Sequence, residues 1–274
     1  MSEWIALIAG AGRFPFHIAQ EAKRQGLGVV ALGMRGWADP ALAADVDAYE
    51  EIELGQLGHL MARLKHHRVM RAIMAGKVTK AVLLNGRSAF DAEMLSLLAR
   101  VKNVSVGALL GAVAERLGQE GVEILDSSTF LKSQLCPVGV LTVRRPTPQE
   151  TEDVRIGQQA ARAVATLDIG QTVVVKERVV IAVEALEGTD AAIRRAHALA
   201  RDGLVVVKAA AANQDRRFDL PVIGTETLTV LQETGVSCLA MEAGSTLLLE
   251  REALIAGANA AKICLLGIAV PASC

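Results

Sequence analysis

Aromatic residues make up only 3% of this 274-residue chain. Its cores must therefore be built from Ala, Val, Leu and Ile. The basic stripe with interleaved aromatics that a nucleic-acid groove needs is missing. Charge of one sign is missing too: 29 Lys and Arg stand against 30 Asp and Glu, a formal net charge of −1. A nucleic-acid partner is thereby excluded. Cysteine is scarce. Cys136, Cys238, Cys264 and Cys274 show no C-x-x-C spacing and no neighbouring His. That argues against a zinc site and for ordinary buried thiols in a reducing cytosol. No apolar run approaches the roughly 20 residues of a membrane span. The run from Trp4 to Ala9 follows Glu3 and is too short for a signal peptide. A soluble, cytoplasmic protein is expected, with contact at a membrane surface still open. His17, His59, His66, His67 and His197 lack metal-ligand spacing, and no G-x-S-x-G element occurs.

Hydrophobic residues are plentiful, at 51%. With this length they suffice for two cores, so two domains are the default. Residues 4–9 read as a buried strand, Gly10-Ala11-Gly12 as a tight turn, and Pro15 as an early helical residue. A strand over 28–33 completes a βαβ opening. Helical patterns near 56–67, 91–101 and 108–119 alternate with apolar runs near 71–75 and 122–125. This alternation predicts a Rossmann-like parallel sheet over 1–136. Pro137, Pro146 and Pro148 mark 137–150 as a linker. A second, mixed α/β domain is expected over 151–274. It would hold a helix near 150–167, a hairpin of 173–175 with 179–183, a helix over 190–201 and a strand over 204–208. A loop would cover 209–221, and further strands would lie near 237–240, 245–249 and 263–268.

Candidate chemistry falls in four places. Gly10 and Gly12 precede a helix N-terminus, where backbone amides attract phosphate. Pro15 stands where a dinucleotide fingerprint wants a third Gly, so a single nucleotide fits better. Arg35 keeps an NADP-linked oxidoreductase as the alternative. Gly76-Lys77-Val78-Thr79-Lys80 follows a strand; Lys77 either neutralises a pyrophosphate or is a solvated surface lysine. Glu187-Gly188-Thr189-Asp190 brackets a helix start, where Asp is also a good cap. The densest set is Gln214-Asp215-Arg216-Arg217-Phe218-Asp219. In an extended loop Asp215, Arg217 and Asp219 would point the same way. Carboxylates and an Arg of this kind suit magnesium-assisted phosphoryl transfer.

These elements, in order, resemble one family. They are Leu-Ile-Ala-Gly-Ala-Gly-Arg-Phe-Pro (7–15), Gly55-Gln56-Leu57-Gly58, Gly76-Lys77-Val78, the run Leu167 to Val175, and Ala182 to Asp190. Val207-Lys208, the run Gln214 to Gly224, and Glu242-Ala243-Gly244 complete the set. Together they are similar to the UDP-2,3-diacylglucosamine pyrophosphatases of the LpxI type, over nearly the whole chain. The resemblance implies a hydrolase of lipid A biosynthesis in Gram-negative bacteria, dependent on magnesium (or manganese). It would split UDP-2,3-diacylglucosamine into UMP and 2,3-diacylglucosamine 1-phosphate (lipid X), with water attacking the β-phosphorus. It further implies a UDP-binding N-terminal domain, a lipid-binding C-terminal domain and an active site between them. Peripheral contact with the inner membrane and a homodimer also follow from it. On this resemblance Asp219 is the first choice for the essential carboxylate, then Asp215, with Arg217 beside them. Gly10, Gly12, Lys77, Thr189, Lys208 and Gln214 would contact substrate; Glu187, Asp190 and Asp219 would hold metal. The chain departs from the family at 105–110 and 209–213, which lack an Asp pair and a Lys-Pro stretch. A non-catalytic nucleotide-sugar binder of the same fold is the remaining alternative.

Overall fold

The computed structural model describes residues 3–78, 90–101, 106–211, 214–218 and 220–270. The chain divides into two compact units. One comprises the residues up to Lys132 with the segment that begins at Asp215; the other comprises Ser133–Gln214 and the chain from Leu220 onward.

In the first unit β1 (Trp4–Ala9), β2 (Gly28–Met34), β3 (Ala48–Ile52), β4 (Arg71–Ala75) and β5 (Glu123–Ile124) form a sheet of order β3-β2-β1-β4-β5. Every pairing in it is parallel. Strands buried on both faces read as continuous apolar runs, and β2 is buried along its whole length. Around them lie α1 (Phe14–Arg24), α2 (Leu57–His66), α3 (Ala92–Arg100) and α4 (Val106–Gln119). The order reverses between β1 and β4, which makes their carboxyl ends the switch point where open α/β sheets bind ligands. Strand β3 has no counterpart among the sequence expectations. Its Glu50-Glu51 pair breaks the apolar run because β3 is an edge strand, where charge blocks further pairing. Glu50 accepts from Arg63 Nη2 at 2.6 Å and meets His67 Nε2 at 2.6 Å. The Arg63 guanidinium holds the Glu50 carboxyl down at about 2.

In the second unit β6 (Gly139–Val140), β7 (Thr172–Lys176), β8 (Val179–Val183), β9 (Leu204–Lys208), β11 (Val236–Glu242) and β13 (Cys264–Ile268) form a mixed sheet. Its order is β6-β13-β11-β9-β7-β8. Strands β9, β11 and β13 run parallel, whereas β7 is antiparallel to both β8 and β9. Short strands β10 (Val222–Ile223) and β12 (Leu247–Leu248) pair separately. The alternation of β9 splits the cores. Leu204 and Val206 join Ile193, Leu228, Leu231 and Leu254 of α6 (Thr189–Ala200), α7 (Thr225–Glu233) and α8 (Arg251–Ala260). Val205 and Val207 face the opposite layer with Val154 of α5 (Pro148–Thr166). Gly157 lets that helix sit close, since a Cβ there would lie 2.4 Å from Val207 Cγ2. Residues 137–150, read as a linker, carry β6 and the start of α5. Thr147 and Glu150 close a capping box there, with Glu150 N–H donating to Thr147 Oγ1 at 3.1 Å.

The expected β7–β8 hairpin is present, with Glu177 and Arg178 as its central residues at φ +50° and +67°. A type I′ turn wants positive φ at both positions and favours Asn-Gly. Here the buried Asp153 of α5 holds it, accepting the Glu177 N–H at 3.1 Å and the Arg178 N–H at 2.6 Å. Glu177→Asn with Arg178→Gly should stabilise the protein by about 1–2 kcal/mol, by relieving left-handed strain. Asp153→Ala should destabilise it by about 2–3 kcal/mol, by orphaning two amides. Thermal melts check both, and unchanged melting temperatures would refute this account of the turn.

Candidate active site

The glycine turn and the Gly-Lys-Val loop meet at the switch point. Ala11 N–H donates to the Lys77 carbonyl and Lys77 N–H to the Ala11 carbonyl, both at 2.9 Å. Gly10 N–H donates to Ala75 O at 2.8 Å. The reason for glycine differs by position. A Cβ on Gly10 would lie 2.7 Å from the Lys77 carbonyl oxygen, and one on Gly76 would lie 2.6 Å from the Gly10 carbonyl carbon. Gly12 instead needs its φ of +92° and has open space around it. Lys77 is exposed beside this bridge. The first turn of α1 follows directly, with the positive end of the helix dipole towards this bridge; Pro15 contributes no N–H there, and the Phe16 N–H donates to Arg13 O at 3.1 Å.

The 215–218 segment belongs to this same unit, although Gln214 before it and the chain from Leu220 onward do not. It is a turn, not the extended loop expected from its alternation. Phe218 N–H donates to Asp215 O at 3.3 Å, and the Asp215 carboxylate accepts the Arg217 N–H at 3.0 Å. Arg217 Nε and Nη2 then reach the same carboxylate at 2.9 and 2.6 Å. Asp215 and Arg217 are therefore a closed bidentate pair. Arg217's hydrogen bonds hold the Asp215 carboxyl below the usual carboxylate range.

Three residues that sequence reasoning missed fasten the segment. The buried Ser127 places Oγ 2.7 Å from Arg217 O and 2.9 Å from Met74 O of β4, its single proton shared between the two carbonyls. Arg216 lies 3.0 Å from Asp126 and donates to Ser128 Oγ at 3.2 Å. Phe218 packs on the first unit's core. The signal for them was Asp126-Ser127-Ser128 at the carboxyl end of a strand. The structure thus brings Gly10, Gly12, Lys77, Asp215 and Arg217 to one edge of the first unit. Asp219 lies outside the described residues.

The second unit carries a separate polar cluster at the carboxyl end of β9. The buried Lys208 donates to Thr172 Oγ1 at 3.2 Å and Thr189 Oγ1 at 3.0 Å, with Glu184 at 4.0 Å. Thr189 donates in turn to Glu184 at 2.9 Å. Burial pushes the Glu184 carboxyl up. The Lys208 ammonium and hydrogen bonds from Thr172, Thr189 and Gln171 outweigh it, and the net position is below the ordinary value. Gly188 caps α6, not Asp190, which sits partly buried in the first turn. Glu187 accepts from Arg195 at 2.6 Å and from Ala185 N–H at 3.1 Å, so both its oxygens already close the turn. Gln214 Oε1 accepts the Ala211 N–H at 2.8 Å.

These contacts bear on metal binding and on the NADP alternative. Among the described residues no three His, Cys, Asp or Glu side chains converge on a metal position. Arg35 donates to Glu51 at 3.0 Å and pairs with Glu53. Two carboxylates already occupy the guanidinium that a 2′-phosphate would require.

A doubly wound sheet with a switch point, followed by a mixed sheet with a polar carboxyl edge, defines a two-domain α/β protein. The family model of the LpxI N-terminal domain matches residues 4–134, and that of the LpxI C-terminal domain matches residues 137–266. The chain belongs to the LpxI family. It is 32% identical over 279 aligned positions to the UDP-2,3-diacylglucosamine pyrophosphatase LpxI of Caulobacter vibrioides. That alignment covers 96% of this chain and 97% of the relative. Among solved structures, the CobK precorrin-6A reductase aligns over 99% of this chain and 89% of its own. Its 12% identity and TM-score of 0.34 carry no argument about function. Among the described residues no helix is long and apolar enough to cross a membrane.

Proposed function

We propose that this protein is a UDP-2,3-diacylglucosamine pyrophosphatase of lipid A biosynthesis. Water adds to the β-phosphorus and the bond to the bridging oxygen breaks. That oxygen leaves with UMP, and the water oxygen stays on 2,3-diacylglucosamine 1-phosphate. The observation that carries this reading is the family match across both domains, joined to a full-length relative that bears this name.

The first unit supports it chemically. A nucleoside diphosphate presents its phosphates to the α1 N-terminus and Lys77, at the edge that also holds Asp215 and Arg217. Arg217, kept in register by Asp215, is suited to stabilise charge that develops on a phosphoryl oxygen. Asp219 orients the attacking water. Lys208 and Thr189 are further candidate substrate contacts on the family resemblance. Magnesium, or manganese, remains a proposed requirement. Such an ion is commonly held by one or two carboxylates plus substrate phosphates, and the family resemblance makes Glu187, Asp190 and Asp219 its candidate carboxylates.

Incubation with UDP-2,3-diacylglucosamine and magnesium should give equal amounts of UMP and the sugar 1-phosphate by mass spectrometry. Substrate bound but recovered intact would mark a nucleotide-sugar binder and overturn the proposal.

A further inference from the structure

Ser127 is buried, and the proposed chemistry makes no use of it. It follows β5, which β4 holds in place: the Leu125 N–H donates to Ala72 O at 2.9 Å. Ser127 then meets the 215–218 segment through two different groups. Its main-chain N–H donates to Arg216 O at 3.0 Å, and its Oγ lies 2.7 Å from Arg217 O. Those two carbonyls belong to the peptide groups on either side of the Arg217 Cα. A peptide group is planar, so a residue has only two soft backbone dihedrals. Holding both flanking planes fixes φ and ψ of Arg217. The direction in which its side chain leaves the backbone is fixed with them.

The pairing of Arg217 with Asp215 cannot supply that direction. It joins residues two apart within the segment and turns with it. The reference to the sheet comes from outside. Ser127 Oγ also lies 2.9 Å from Met74 O of β4. The next carbonyl along that strand, Ala75 O, accepts the Gly10 N–H at 2.8 Å. One hydroxyl therefore links the strand end that carries the glycine turn to the backbone of Arg217. Asp126 and Ser128 hold Arg216, and Phe218 packs on the core, on either side of this grip. All these residues lie in the first unit.

We propose that Ser127 is a positioning residue: by holding both peptide groups that flank Arg217, it aims the guanidinium at the carboxyl edge of the first sheet. The inference rests on the pyrophosphatase reading for its kinetic arm. A serine that only satisfied buried carbonyls would act on stability, independently of the Arg217 side chain. A double-mutant cycle separates the two roles.

The cycle compares hydrolysis of UDP-2,3-diacylglucosamine by wild type, Ser127→Ala, Arg217→Met and the double variant. Ser127→Ala should lower kcat by about tenfold to a hundredfold with KM changed less than about threefold, since small misplacements weaken transition-state contacts most. In the Arg217→Met background the same substitution should change kcat by less than about threefold, because no guanidinium is left to aim. Amide hydrogen exchange without substrate reads the grip itself. Residues 127 and 216–218 should exchange at least about tenfold faster in Ser127→Ala, with β1 and β2 unchanged.

Equal losses of kcat from Ser127→Ala in both backgrounds would overturn the assignment, as would wild-type kcat in a folded Ser127→Ala protein. If wild type does not hydrolyse the substrate, or Arg217→Met turns over like wild type, the functional reading of the site fails instead. Exchange then decides whether Ser127 holds the segment, and unchanged exchange would overturn that too. If Ser127→Ala does not fold, Ser127→Cys, with its weaker donor, takes its place in the cycle with the same overturning outcomes.

Discussion

Asp219→Ala is expected to lower kcat by at least about a thousandfold while substrate affinity changes little. The ranking of Asp219 above Asp215, which the family resemblance implies, is supported by what Asp215 already does. Both Asp215 oxygens are engaged by Arg217, and the Arg217 main-chain N–H donates to the same carboxylate. Asp215 therefore shapes the turn and holds the guanidinium, and its truncation should impair binding and stability as well as turnover. A carboxylate that orients water must keep an oxygen free for it. Loss of kcat with binding retained is the signature of a group used in the transition state. Kinetics with binding measured separately by calorimetry check this. Full activity of Asp219→Ala would remove Asp219 from the mechanism.

Gly10→Ala is expected to have the second largest effect, because the added methyl meets backbone. Its Cβ would lie 2.7 Å from the Lys77 carbonyl oxygen and 3.0 Å from the Gly76 carbonyl carbon, which no side-chain rotation relieves. The loops after β1 and β4 would have to separate, breaking the paired amides of Ala11 and Lys77. Affinity for UMP should fall by more than about tenfold and stability by about 2–4 kcal/mol. Gly12 provides the contrast. Its Cβ would enter open space, so Gly12→Ala incurs only the strain of a φ of +92°, about 1–2 kcal/mol. Isothermal titration with UMP and chemical denaturation read both quantities. Equal effects of the two substitutions would contradict the close-approach explanation.

Much of the fold was legible because buried parallel strands are continuous apolar runs. Leu204–Lys208 was expected as a strand and is β9 with the same ends. Elements without such a run escaped. Strands β6 and β10 are two residues each, too short for any period, and β3 carries two acids at a sheet edge. The site was legible as residue types and less so as geometry. Gly10 and Lys77 were read as separate phosphate contacts, whereas their loops are one bonded unit across 66 residues of sequence. Asp215 and Arg217 were read as parallel side chains, but a turn folds one onto the other. Most of all, sequence order assigned residues 215–218 to the second domain. Their partners Asp126, Ser127 and Ser128 lie about 90 residues earlier, and no local pattern encodes that attachment.

The most direct test of the central claim is hydrolysis of UDP-2,3-diacylglucosamine in oxygen-18 water, with mass spectrometry of both products. The label is expected on the phosphate of 2,3-diacylglucosamine 1-phosphate, with UMP unlabelled. Label in UMP would contradict attack at the β-phosphorus, and no cleavage at all would contradict the assigned reaction.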